Sequence, residues 1–239
     1  MKKTFWKDYW DKQSNGQHRS QEEAFLKSES EEKLLHLAKG ENLLDFGCGS
    51  ADLLAYYAQF FTLSVGADNS KLMLEKAKSR LSAFNILHNV RLINSDTYQI
   101  WNDIAKELGN GFKFNCITTG QVIQYLSKKE IEDFIYNAVH HLTDNGKICL
   151  FDIVDARTFE LWRAGLFNSN SFNYKVVIKL IIGKVKGFIN KFRGKPFHEL
   201  GYVYPPSFFI NLAQKYNLKT AYFNSVYYEY RYHIIIYKK

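Results

Sequence analysis

Residues 43–54 read LLDFGCGSADLL, and the fold follows from how this stretch is understood. An apolar run ends in Asp45, after which Gly47 and Gly49 turn the chain into the start of a helix. Glycines at such a turn accept positive φ and let a ligand approach the backbone, and N–H groups at a helix start attract polar groups. A dinucleotide fingerprint, G-x-G-x-x-G, asks for Gly or Ala at position 52. Asp52 stands there instead, and Asp45 lies two residues before the first glycine. Such carboxylates would repel a pyrophosphate, but they favour a sulfonium ligand that also carries an ammonium group.

On either side of this turn the pattern alternates. Strand-like runs at 42–46, 62–67, 89–94, 114–119 and 147–154 are separated by helical patterns at 52–60, 70–84, 99–108 and 128–142. That alternation predicts an α/β, doubly wound, mainly parallel sheet with helices on both faces. Beyond Val154 the alternation stops until Pro205-Pro206, a helical stretch at 207–216, and two β-branched and aromatic runs at 219–226 and 228–238. Only Tyr227 separates those runs, so they are expected to close a seven-stranded sheet as an antiparallel hairpin. Upstream, Phe5, Trp6, Tyr9 and Trp10 form an aromatic stripe, and 20–39 shows helical apolar spacing before Gly40. The expected organisation is one domain over 1–239. It comprises an N-terminal helical cap (1–40), a ligand-binding core (41–154), a helical insertion after the fifth strand (155–203), and a last helix with the hairpin (204–239).

This ordered set of residues resembles the class I S-adenosylmethionine-dependent methyltransferases. Their first motif, an acid followed by G-x-G-x-G, is matched by Asp45, Gly47 and Gly49, with Ala51 at the third glycine. The resemblance implies that Asp68, at the end of the second strand, holds the ribose hydroxyls of S-adenosylmethionine. It also implies that Asp96 lies near the adenine. Cys48, Asn69, Thr97, Gly120 and Gln121 complete the expected donor-binding set. Asn115 stands where the family's fourth strand usually carries an aspartate, and the Asn145-Gly146 turn matches its fifth-strand motif.

Methyl transfer from a sulfonium needs alignment, exclusion of water and, for some acceptors, a base. Candidates for the base are His198 and Glu199, a polar pair between Phe197 and Leu200, together with Tyr125 after the fourth strand. Asp152 and Asp155 stand equally between substrate contact and a turn role, while His140 and His141, at a helix end, read as structural. Cys48 reads as a packing residue. The absence of an Asn-Pro-Pro-Tyr run and of a cysteine pair argues against the main nucleic-acid base chemistries. Three cysteines without C-x-x-C spacing give neither a disulfide framework nor a metal site, so no metal is expected. The basic start lacks a signal peptide's apolar run, and the expected location is cytoplasmic.

The net charge of +8 is a local feature. Between Leu161 and His198 lie eight basic residues and no acid, and the rest of the chain balances 24 against 24. On a helical wheel, Ile178, Ile181, Ile182, Val185, Phe188, Ile189 and Phe192 share one arc, with Lys175, Lys179, Lys186 and Arg193 on one flank and Lys184 and Lys191 on the other. The segment 174–195 suits a lid over the acceptor site, an anionic membrane surface or an acidic carrier protein. The expected function is methyl transfer from S-adenosylmethionine to a small molecule, at oxygen ahead of nitrogen, on a sugar or specialised metabolite, carrier- or lipid-linked forms included. Two rivals remain open: an RNA or protein methyltransferase docking through 161–198, and a catalytically silent S-adenosylmethionine-binding module. Nucleic acid is the disfavoured partner, and the sequence assigns no oligomeric state.

Overall fold

The computed structural model describes residues 20–38, 40–155, 157–165, 174–192 and 201–238. The aromatic stripe at 5–10 and both His198 and Glu199 lie outside them. Seven strands form one sheet: β1 (Asn42–Phe46), β2 (Leu63–Asp68), β3 (Val90–Asn94), β4 (Phe114–Gly120), β5 (Leu142–Val154), β6 (Leu218–Asn224) and β7 (Arg231–Lys238). Their order is β3-β2-β1-β4-β5-β7-β6, parallel from β3 to β5. Strand β7 runs antiparallel to β5 and β6.

Alternation along the strands divides the core into two layers. Leu44, Val65, Ile117, Ile148 and Ile234 face α4 (Ile100–Leu108), α5 (Lys128–His140) and α8 (Pro206–Lys215). Leu43, Cys116, Cys149, Phe151 and Ile235 face α1 (Glu23–Leu34), α2 (Leu54–Tyr57) and α3 (Lys71–Ala83). Local chemistry fixes several helix starts. Ser70 accepts the Met73 N–H, Ser127 and Glu130 form a reciprocal capping box, and Pro206 opens α8.

Three of the differences from the expected boundaries have a local cause. Strand β5 starts at Leu142, not Lys147, because Leu142 pairs with Phe114 before a bulge takes up the Asp144–Gly146 turn. The predicted helix over 52–60 reduces to α2 followed by one 3-10 turn at Ala58–Phe60. The hairpin loop spans 225–230, not Tyr227 alone. Its Val226 N–H is drawn to the Glu32 carboxylate, and the Tyr228 hydroxyl to Glu29, so the loop docks on α1 before the sheet resumes.

Two helices follow β5: α6 (Phe159–Arg163) and α7 (Tyr174–Phe192). The base of this excursion is pinned. Asp155 bridges Tyr204, the Tyr204 N–H donates to Val154, and the Tyr202 N–H donates to Gln124. Phe159 and Trp162 pack with Tyr230 at the same place. Among the described residues no helix is long and apolar enough to cross a membrane.

Candidate active site

The carboxyl ends of β1, β2 and β4 meet at the Gly47–Ala51 turn. Gly47, Gly49 and Ala51 all have positive φ, at 76°, 54° and 63°. Gly47 is also sterically required, because a Cβ there would lie 2.2 Å from Val122 Cγ2. A Cβ on Gly49 would meet nothing within 4 Å, so the turn is open on that side. Three of the turn's donors are committed to β2. Gly47 and Cys48 both donate to the Ala67 carbonyl, and Gly49 donates to Asp68 Oδ2 at 2.9 Å. The end of β2 uses these three N–H groups to hold the turn in shape.

Asp68 is therefore a structural hinge point as well as a ligand candidate. Its second oxygen accepts the Ser70 N–H at 2.9 Å, so one N–H on each oxygen fixes the carboxylate plane. A carboxylate has roughly four lone-pair positions, which leaves its chemistry compatible with a neighbouring diol. Asp45 is buried, and it pairs across the sheet with Gly66 on β2 and Thr118 on β4. It lines a cleft with Gly47, Cys48 and Gly120, and Leu53, Tyr57 and Thr118 complete the walls. Asp96 follows β3 on the adjacent strand end. Its Oδ1 accepts the Tyr98 and Gln99 N–H groups and starts the turn into α4. Asn69 and Thr97 sit half-buried in the turns after Asp68 and after Asp96.

The field around the turn is negative. Burial first, and then the Asp68 and Asp45 carboxylates, push the Cys48 thiol well above its usual range, so it stays protonated and unreactive. The structure thus agrees with reading Cys48 as packing. On the β4 side, Gln121 adopts φ 59° while its N–H donates to Phe151, and its buried Nε2 has no hydrogen-bond partner. The buried Thr118 hydroxyl likewise has none. Orphaned donors at a cleft mark where a polar ligand would compensate them. Tyr125 sits half-buried in a 3-10 turn, with its hydroxyl accepting from Gln124.

Other candidates resolve into structural roles. Asp155 is held by Arg157 at 2.6 Å. His140 and His141 bond the Tyr136 and Asn137 carbonyls at the end of α5. Asn115 accepts the Glu41 and Asn42 N–H groups and so ties β4 to β1.

Asp152 belongs to a buried network that sequence reasoning missed. Its φ of 54° lies in the bulge between β5 and β7, and its carboxylate pairs with the fully buried Lys33 at 3.1 Å. Lys33 also pairs with Glu29. The Asp152 N–H donates to His233 Nδ1, which leaves Nε2 as the donor to Glu32. Burial works to raise the Glu32 pKa, but the His233 and Val226 hydrogen bonds and the Lys33 charge outweigh it and hold Glu32 below its ordinary value. Arg231 donates Nη1 to Gln124 and to the Asp152 carbonyl, while its buried Nε and Nη2 have no hydrogen-bond partner. Those two atoms form the guanidinium's side-on fork, which matches a planar anion. The signal was one arginine inside the apolar run YRYHIII.

Residues 44–148 match a family model described as a methyltransferase domain. No curated protein matches the chain significantly. Among solved structures, magnesium protoporphyrin IX methyltransferase from Synechocystis PCC 6803, with bound SAH, superposes with a TM-score of 0.61 at 13% identity, covering 99% of each chain. An O-methyltransferase family protein from Burkholderia thailandensis gives a TM-score of 0.61 at 11% identity, over 90% of this chain and 55% of that one. A mitomycin 7-O-methyltransferase gives a TM-score of 0.58 at 10% identity, over 89% and 53%. The chain spans about half the length of these two O-methyltransferases.

Proposed function

We propose that this chain, whose residues 44–148 match a family model described as a methyltransferase domain, transfers the methyl group of S-adenosylmethionine to a small-molecule acceptor, at oxygen ahead of nitrogen. The observation that carries the reading is the pair Asp45 and Asp68, set on either side of a glycine turn that stays open at Gly49. A cluster of carboxylates suits a ligand with sulfonium and ammonium charges and would repel a dinucleotide. The donor supplies an already activated methyl group. Asp45 would face its ammonium group, Asp68 its ribose hydroxyls and Asp96 the neighbourhood of its base.

The chain's own work is to align and to dry the site. The Val122 side chain seals the turn from the β4 side, and Thr118 and Gln121 offer polar atoms that the fold leaves uncompensated. The unsatisfied fork of Arg231, beside Gln124 after β4, supports an acceptor that bears a carboxylate. A base for the acceptor hydroxyl is sought among His198, Glu199 and Tyr125. A sugar or specialised metabolite remains the favoured acceptor class.

The test is calorimetry with S-adenosylmethionine, followed by turnover of labelled donor on metabolite pools sorted by charge. Binding followed by label transfer to an acidic small molecule is expected. Binding with no transfer to any pool would leave a silent donor-binding module, and absence of binding would overturn the reading. Activity that falls steeply with salt on RNA, and nowhere else, would favour the nucleic-acid alternative.

A further inference from the structure

Helix α7 turns the wrong face outward. In an ordinary surface helix the apolar stripe meets the core and the charges meet water. Here Ile178, Ile181, Ile182, Val185, Phe188 and Ile189 are each 43–59% exposed. At 100° per residue they fall within an arc of roughly 120°. Gly183, on the opposite face, is buried. The helix therefore does not lay its apolar arc over the acceptor site, as a lid reading requires. Six large apolar side chains on one face exceed the scattered exposure normal for a soluble surface.

Charge narrows what this face meets. Between Tyr174 and Phe192 there are five lysines and no acid. Lys175, Lys179 and Lys186 border one edge of the arc and Lys184 the other, all of them exposed. A second copy of this helix would bring like charges together along both edges, which opposes self-association. A planar anionic surface meets both basic edges at once while the arc enters its apolar layer.

We propose that α7 is an interfacial anchor that lies flat on an anionic lipid bilayer, with the six apolar side chains below the headgroups and the lysine rims at phosphate level. This placement stands on the exposure and charge of α7 and does not depend on the methyl-transfer reading.

The test uses the full chain and vesicles of phosphatidylcholine with or without phosphatidylglycerol. Cosedimentation with the anionic vesicles alone is expected, with partition falling as salt rises. The variant K179E/K184E/K186E should lower partition by about a hundredfold at low salt, since each lysine near such a surface contributes about fivefold. Ile181→Asp with Phe188→Ser should abolish it even at low salt. Both variants should keep the parent's circular dichroism and donor affinity, as neither touches the cleft. A tryptophan replacing Val185 should shift its emission to the blue on binding. The proposal falls if the chain ignores anionic vesicles at low salt, if the aspartate and serine variant binds them normally, or if the chain binds poly-glutamate but not vesicles.

Discussion

Gly47 meets two demands at once, a φ of 76° and a Val122 side chain that occupies the space a Cβ would need. Gly47→Ala is expected to cost about 1–3 kcal/mol of stability from backbone strain and to abolish donor binding, read by thermal unfolding and calorimetry. Adding Val122→Ala relieves the contact but not the φ, so it should recover only part of the melting temperature. Asp68 has a divided role as well. Asp68→Ala should weaken donor affinity by about 1.5–3 kcal/mol and also lower the melting temperature, because Gly49 and Ser70 lose their acceptor. Asp68→Asn keeps one backbone acceptor and should separate the two losses. Cys48→Ser should leave both readouts nearly unchanged, and the native thiol should resist alkylation until unfolding. These glycines and aspartates were legible in the sequence because they are local: a strand end and a tight turn write their requirements within a dozen residues. Val122 and Thr118 were not legible, since their role depends on which strand lies beside β1.

Helix α1 shows where periodicity misleads. Its apolar spacing includes Leu35, which is 83% exposed, while Glu29 and Lys33 are fully buried. The cause is an ion network that joins Glu29, Glu32 and Lys33 to Asp152 and His233, which lie more than a hundred residues away in sequence. No local pattern announces that. Lys33→Met should cost about 3–5 kcal/mol in chemical denaturation, because it strands the Glu29 and Asp152 carboxylates in the interior. The pH dependence follows from Glu32, whose pKa lies below its ordinary 4.5 in the folded state. Its contribution is complete above that value and is lost as pH falls through the folded value. Stability should therefore decline below about pH 5, and Glu32→Gln should flatten that decline while lowering stability at neutral pH. The hairpin loop escaped sequence reading for the same reason, because α1 captures Val226 and Tyr228 and lengthens it.

Across the whole molecule, the parallel half of the sheet was written in alternating strand and helix signals, and the order β3-β2-β1-β4-β5-β7-β6 realises it. The excursion after β5 was legible only as a break in that alternation. Each of its two ends is fixed to the body of the fold. On one side Phe159 and Trp162 lock against Tyr230. On the other, Gly201, Tyr202 and Tyr204 are bonded or pressed against Gln124 and Val154. Replacing 166–200 with a flexible linker of about ten residues should change stability by only about 1–2 kcal/mol, since loop closure depends on the logarithm of length. Donor affinity should persist and vesicle partition should vanish. With both flanks pinned in this way, exchange of the sequence between Gly165 and Gly201 would leave the sheet and its helices in place. A body of this kind would be readdressed to a new surface by recombination between two glycines, with no compensating change in its core.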